Sequence, residues 1–396
     1  MDDNQEGEGN QLPDVVISDI MSRLRAKTIG LLRMESSIIV SLTTSQYFIQ
    51  KHLLFAKGDI NQYGLLIFCE YEYDLSDSIE SSYRGSDSSE EATAGAANKE
   101  IHRFSLNSFL DRDISCFMTE DPFPEEPWVL VGNANGIFCL HCNDGRLILW
   151  NPTTTRVKRT SSWNDLVGLP IRSYNTSCGF GFGEHMNEYF GMVLYNVSDF
   201  EFLALIYRAT TNSWRLVASF RDLNGLVEER MVPQNFDIVF VADKFHWTVS
   251  SVETVEMIEN LYIVSFDPET EMYRRLEKPR EHSRFVYLGS MGTCLSLCCL
   301  NEDLGTWEIW MWEDDTWNIA FKLANTNMRG FSSMCRLPDG QLLLGCELGV
   351  VCCNLNDDTY RVVEYPEEIA RRVLIQSEFY LETMVSPAEL ELVAGA

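Results

Sequence analysis

Residues 147–159 read LILWNPTTTRVKR, an apolar run closing on a tryptophan, a turn of Asn, Pro and Thr, then a second run opening on an arginine. Apolar residues bounded by turn formers point to a buried strand, a tight connection and a returning strand. The same grammar recurs in ALIYRATTNSWRLV (204–217), YIVSFDPETEMYRRL (262–276), EIWMWEDDTWNIAF (308–321) and VCCNLNDDTYRVVEY (351–365). With Trp150, Tyr207, Phe266, Trp312 and Leu355 as anchors, the intervals are 57, 59, 46 and 43 residues. Strand-only units repeating every 40 to 50 residues or so are the mark of propeller blades.

A sixth unit is hidden by an insertion. Leu65 to Tyr73 reads as a strand and Glu100 to Leu106 as its hairpin partner. Between them, residues 74–99 are Ser, Glu, Asp, Gly and Ala with almost nothing to bury, which predicts a disordered surface loop. Without those 26 residues the interval from Tyr73 to Trp150 falls from 77 to 51, in line with the others. The expected fold class is therefore mainly β, a six-bladed propeller over residues 62–390. A late strand around Phe379 to Val385 is expected to pair with the first blade and close the ring, removing exposed edges.

Ahead of residue 62 the period changes. Leu12-Pro13-Asp14 is a helix-start signal, after which Val16, Ile20 and Leu24 recur four apart on one face. Leu31, Met34, Ile38 and Leu42 keep the spacing of three and four, Ile39 widens their stripe, and Ser45 can cap a segment carrying Phe48, Ile49 and Leu53. Roughly forty residues in short helices bury too little apolar surface alone, so the remainder of these stripes needs a partner helix or a neighbouring domain.

Charge narrows the partners. Of 396 residues, 59 are acidic and 31 basic, a formal net charge of −28. That balance repels nucleic-acid phosphates and anionic lipid surfaces and suits a basic protein partner. The opening MDDNQEGEGN is acidic and polar, an expected disordered tail over residues 1–9, and it is the opposite of a secretory leader. No span reaches the roughly 18 to 20 apolar residues that cross a bilayer. The expected setting is the cytoplasm or nucleus, so the twelve cysteines read as reduced thiols in strands.

Enzyme motifs do not assemble. Cys139-x-x-Cys142 with His141 looks like half a zinc or redox site, but no second closely spaced Cys/His pair follows. Gly179-Phe180-Gly181-Phe182-Gly183 lacks the Gly-Lys-Ser/Thr of a phosphate loop and alternates as a strand does. No nucleophile elbow or His-Glu-x-x-His helix is present, and His246 sits inside an apolar run beside Trp247. No cofactor, metal or catalytic residue is expected. Trp128, Trp163 and Trp317 lie beside turns and are candidates to line a binding face, although core packing is the plainer reading for each.

Two resemblances join these readings. Leu12, Pro13, Asp14, Ile20, Arg23, Leu24, Lys27, Thr28, Ile29, Arg33, Leu42, Phe48, His52 and Leu53 fall, without a gap, on the pattern of an F-box of the large plant class. Two departures stand out: Arg25 replaces the usual Pro, and Ser36-Ser37-Ile38-Ile39 replaces the Cys-Lys-x-Trp run. The rest of the chain resembles the kelch-like F-box-associated domain found behind such F-boxes. The matching stretches are 132–140, Leu149-Trp150-Asn151-Pro152-Thr153-Thr154, 179–182, Thr211-Asn212-Ser213-Trp214-Arg215, Phe245-His246-Trp247, Val264-Ser265-Phe266-Asp267 and 380–387.

The resemblance implies a helical F-box over residues 10–55 that docks on a Skp1-like adaptor and, through it, cullin-1. Its adaptor-facing residues are expected to be Leu12, Pro13, Val16, Ile20, Leu24, Ile29, Ile38 and Ile39. The propeller would then hold a protein substrate for ubiquitination, and the chain itself would do no chemistry. The alternative is a non-ligase interaction module whose degenerate helices cap the propeller. Ile38 and Ile39 discriminate: buried against the propeller they favour a cap, exposed they favour docking.

Overall fold

The helical periodicity ahead of residue 60 gives four short helices: α1 (Asp14–Ser22), α2 (Ala26–Glu35), α3 (Ser37–Thr43) and α4 (Gln46–Lys57). The last runs two residues past the expected boundary at 55 and is followed by a 3-10 turn, Ile60–Gln62, that leads straight into the first strand. The computed structural model describes residues 12–70, 99–112, 117–119, 122–124, 126–168, 176–198, 201–219, 231–233, 237–251, 260–277, 279, 283–301, 303–324, 331–357, 359–371 and 374–390. The expected tail at 1–9 lies outside the described residues, as does the expected insertion apart from Lys99, which opens a strand.

The strands gather in sheets. β1 (Tyr63–Glu70), β2 (Lys99–Ser105) and β3 (Phe117–Thr119) form one four-stranded sheet with the last strand, β25 (Leu374–Leu381). A short helix, α5 (Leu106–Leu110), links β2 to β3. The next sheet holds β4 (Trp128–Ala134), β5 (Ile137–Cys142), β6 (Leu147–Asn151) and β7 (Arg156–Arg159). β8 (Thr176–Gly183), β9 (Glu188–Ser198), β10 (Glu201–Arg208) and β11 (Ser213–Ser219) belong to a nine-stranded sheet. Its other members are the short β12 (Met231–Pro233), β13 (Asp237–Val241), β14 (Lys244–Ser251), β15 (Asn260–Asp267) and β16 (Met272–Leu276). Two more four-stranded sheets follow. One is β17 (Ser283–Met291), β18 (Cys294–Asn301), β19 (Thr306–Glu313) and β20 (Thr316–Leu323). The other is β21 (Phe331–Arg336), β22 (Leu342–Cys346), β23 (Gly349–Asn354) and β24 (Thr359–Glu364).

The arrangement is mainly β and propeller-like, with four separate four-stranded blades. Where the repeat predicts two further separate blades, the chain forms one nine-stranded sheet instead. The cause is a parallel pairing of β8 with β13, in which Ile238 lies opposite Gly179. A Cβ at Gly179 would come within 2.7 Å of the Ile238 Cβ, and one at Gly181 would strike Phe240. The alternation read in 179–183 thus has a packing cause: each glycine admits a side chain of the neighbouring strand.

The repeated grammar is the hairpin between the last two strands of a unit. Asn151 Oδ1 accepts from the backbone N–H groups of Thr153 (2.8 Å) and Thr154 (3.3 Å), and Asp267 Oδ1 does the same for Glu269 (2.9 Å) and Thr270 (3.1 Å). These turns close through left-handed residues, Thr155 and Glu271, with Asn212 in the equivalent place between β10 and β11. The aromatic after the turn faces the large anchor before it, Tyr207 against Trp214 and Phe266 against Tyr273. Leu355, expected as a strand end, instead lies in the turn one residue beyond β23.

Alternate residues of the strands feed different cores, which is why the strands read as continuous apolar runs. Leu65 and Ile67 of β1 pack with Leu343 and Val350, whereas Leu66 and Phe68 pack with Phe138 and Trp150. The ring is closed by β25, whose register on β1 runs from Tyr63 opposite Leu381 to Glu70 opposite Leu374. The closing strand therefore lies earlier than the expected 379–385 and ends at Leu381. Beyond it the Glu382 N–H still donates to the Gln62 carbonyl at 2.7 Å, and side-chain contacts then hold residues 382–385. Glu382 receives an ion pair from Arg103 at 2.7 Å, and Thr383 Oγ1 donates to the Asn135 carbonyl at 2.8 Å. Asn151 Nδ2 donates to the carbonyls of Thr383 (3.1 Å) and Val385 (2.7 Å).

Candidate functional site

The four helices form a small module with two unlike sides. Its interior is Met21, Ala26, Ile29 and Phe48, flanked by the half-buried Ile17, Leu24, Leu32 and Ile39. One residue of that core, Met384, comes from the far end of the chain, just past the closing strand. On the same side Ile49 and Leu53 of α4 pack with Val385 and Leu390 on a propeller core, and Lys57 reaches Glu184 at 2.7 Å. The module is thereby seated on the propeller face where β1 begins and β25 ends.

Local chemistry holds the helices in place. Ser45 Oγ accepts from Phe48 N at 3.2 Å and caps α4, and Ser36 Oγ caps α3 more loosely. The Arg33 guanidinium donates to Thr43 Oγ1 at 2.7 Å, tying α2 to α3. His52 Nε2 lies 3.1 Å from the Leu24 carbonyl, and burial pushes its pKa down, so the neutral ring donates that bond. Lys51 pairs with Asp19 at 2.5 Å and holds that carboxyl below the usual range.

The other side of the module is apolar and uncovered. Leu12, just ahead of α1, is exposed, as are Val15 (77%), Val16 and Ile20 on that helix. Leu31, Met34 (76%), Ile38 (61%) and Val40 extend the face across α2 and α3. Exposed apolar side chains on this scale are the kind of surface that docks a partner in other proteins.

The residues expected to face an adaptor separate on this geometry. Leu12, Pro13, Val16, Ile20 and Ile38 are exposed; Leu24 and Ile39 are half-buried. Ile29 is fully buried, so it welds the helices together and cannot reach a partner. The discriminating pair is split: Ile38 points to docking, and Ile39 packs inward with the core that contains Met384. Val15 and Val40 were absent from the sequence reading, and Leu31 and Met34 entered it only as a stripe. The stripe Val16-Ile20 faces outward, while the parallel stripe Ile17-Met21 turns in.

Elsewhere the candidate chemistry resolves into packing. Cys139 and Cys142 lie three apart on one strand, hence on opposite faces of the sheet, and join different cores. They cannot share one metal ion. Burial pushes the Cys142 thiol up to about 12 and His141, stacked on Trp163, down to about 4. His246 is likewise buried and pushed down to about 4, its Nε2 3.3 Å from the Val241 carbonyl. Trp128 and Trp163 are core residues; Trp317 is half-buried and borders a groove.

Strand direction assigns the two faces of the ring. The turns at 135–136, 184–187 and 242–243 lie with the helical module, as the contacts of Asn135 and Glu184 show.

The model of the F-box associated beta propeller domain family matches residues 103–381. No curated protein matches the chain. Among solved structures, TolB from Acinetobacter baumannii is 8% identical with a TM-score of 0.45, the match covering 87% of this chain and 73% of that one. A chain of a nidogen/laminin complex is 10% identical with a TM-score of 0.43, covering 81% and 99%. A prolyl endopeptidase is 9% identical with a TM-score of 0.36; the match covers 74% of this chain and spans only 40% of that one.

Proposed function

Because the chain belongs to the family of the F-box associated beta propeller domain, we propose that it is the substrate-recognition subunit of an SCF-type ubiquitin ligase. The helical module is an F-box that docks on a Skp1-like adaptor, and through it on cullin-1, by the face of Leu12, Val15, Val16, Ile20, Leu31, Met34 and Ile38. The uncovered state of that apolar face is the observation that carries this reading. The propeller holds a protein substrate near the ligase's charged enzyme, and the rate gain is one of proximity, with no bond made or broken by this chain.

The propeller counts as six blades if the nine-stranded sheet is taken as two four-stranded halves joined by the β8–β13 pairing. Two observations support that count. The inner strands β4, β8, β13, β17, β21 and β25 adjoin one another in a closed circuit, and apolar cores lie between successive four-strand units all the way round. The substrate is assigned to the face away from the helices, which the helical module leaves free, and the net charge of −28 favours a basic one.

One observation favours the second reading, a module that merely caps the propeller: Ile39, Phe48 and Met384 share a core. Calorimetry of the purified full chain with a Skp1-like adaptor separates the two. Saturable binding that disappears when Leu12, Ile20 and Ile38 are changed together to Ser, with circular dichroism unchanged, is the expected result. A folded chain that binds no adaptor assigns the helices to the cap.

A further inference from the structure

We infer that two neighbouring turns on the propeller face away from the helices, β18–β19 around Leu304 and β22–β23 around Leu348, dock a segment of a basic partner protein that carries apolar side chains flanked by Lys or Arg. Taking the occupant to be a protein rests on the receptor reading.

In each four-strand unit the turn between the first and second strands lies with the helical module, so the turn between the second and third lies on the opposite face. Two of these turns share a pattern. Asp303-Leu304-Gly305 and Glu347-Leu348-Gly349 each set an acid, a leucine and a glycine in a row, where the corresponding turn between β5 and β6 has Asp144-Gly145 with no leucine. The backbone accounts for the glycines: Gly305 takes a φ of 60°, and a Cβ at Gly349 would strike the Val363 carbonyl. No packing among the described residues accounts for the leucines, which stay 64% and 50% exposed. A single exposed leucine is ordinary, but two at the same position of adjacent units form a surface. The turns are close neighbours. Trp307, three residues past Leu304, meets Phe331 edge to face at 5.0 Å, and Phe331 lies opposite Cys346, two residues before Leu348. All three belong to one core, so the floor beneath the leucines is firmly packed.

Charge selects the occupant. Glu364 lies opposite Gly349, and the Tyr365 N–H donates to the Leu348 carbonyl at 3.2 Å, which brings residues 364–368 beside the second turn. Asp303, Glu347, Glu364 and Glu368 are exposed there without an ion-pair partner among the described residues, while Arg371 is already taken by Glu367. A second copy of the chain would bring acid to acid, and nucleic acid or an anionic membrane would bring phosphate to it, so each is repelled. A segment with Lys or Arg beside apolar side chains covers the leucines and neutralises their acidic rim.

The test is calorimetric titration of the full chain with synthetic peptides of equal length made of Leu and Lys, of Ser and Lys at the same charge, and of Leu and Glu. The Leu/Lys peptide is expected to saturate, the Ser/Lys peptide to bind about tenfold more weakly or worse, and the Leu/Glu peptide to fail. Leu304→Ser with Leu348→Ser should weaken Leu/Lys binding about tenfold or more, with circular dichroism unchanged. If that variant does not fold, Asp303→Lys with Glu347→Lys keeps both leucines and must weaken binding to a similar extent. The variant with Leu12, Ile20 and Ile38 changed to Ser must keep it, since loss there would place the peptide on the helical face. No saturation, equal binding of either control peptide, or unchanged binding by a folded turn variant overturns the inference. Adaptor binding is measured on the same variants. If it persists while the Leu/Lys peptide fails, the receptor reading stands and the turn assignment alone is lost; if the peptide binds at the turns and no adaptor binds, the receptor reading alone is lost.

Discussion

The strands of the propeller and the helices of the N-terminal module handle apolar residues in opposite ways. In β1, Leu65, Leu66, Ile67 and Phe68 are buried on both faces of the strand, each face against a different neighbour. In α1, Ile17 and Met21 turn inward while Val15, Val16 and Ile20 stay in solvent. The first pattern completes a self-contained ring. The second leaves a surface uncovered among the described residues, and that difference separates the scaffold from the proposed docking face.

The largest effect should come from attacking the ring. Phe138 is wholly buried between two sheets, where Phe68, Trp150 and Tyr380 surround it, and Phe138→Ala should lose about 3–5 kcal/mol in denaturant unfolding. A loss below about 1 kcal/mol would mean that this core collapses around the gap and is not closely packed.

Met384→Ala tests whether the module is a free-standing domain. It removes a buried side chain that the helices borrow from the C-terminal segment, at a cost of about 2–4 kcal/mol. Hydrogen exchange should rise across α1–α4 while β5 and β22 stay protected. Equal deprotection of the strands would show the module and ring to be one cooperative unit.

Acid should weaken both regions, since His52 in the helices is held neutral by burial as the propeller histidines are. His141 and His246 are neutral in the folded propeller, with values near 4 against about 6.5 in the unfolded chain. The unfolded chain therefore binds protons that the folded one refuses, and stability declines as pH falls from 6.5 towards 4. By pH 5 each histidine should contribute about 2 kcal/mol of that loss. The double change to Phe should flatten the slope of unfolding free energy against pH between 6.5 and 5; an unchanged slope would place the titration elsewhere.

Gly179→Ala should cost about 1–3 kcal/mol, because the added methyl meets Ile238 on the parallel neighbour. Ile238→Ala in the same chain should recover part of it. The smallest effect belongs to the docking face: Ile38→Ser should change stability by less than about 0.5 kcal/mol, since its side chain is already in solvent. A loss above about 1 kcal/mol would show that Ile38 is buried in the free protein and would remove it from the docking face.

The sequence by itself determined the strand-turn-strand units, because turn chemistry is local. Asn151 and Asp267 bond backbone groups two and three residues on, whatever surrounds them. It also determined that α1 carries apolar stripes, since periodicity is a property of neighbours in the chain. Only the tertiary structure decided which stripe is covered. Val16-Ile20 and Ile17-Met21 are both four-residue apolar steps, and the packing of α1 against Phe48 and Met384 selects between them. The same holds for Ile29, which shares the apolar character of Ile38 but is enclosed by three helices and a residue 355 positions away. The joining of β8 to β13, the early end of the closing strand and the groove at Trp317 were likewise beyond sequence pattern. Each depends on a contact between segments far apart in the chain, and no local propensity encodes which distant surface will arrive.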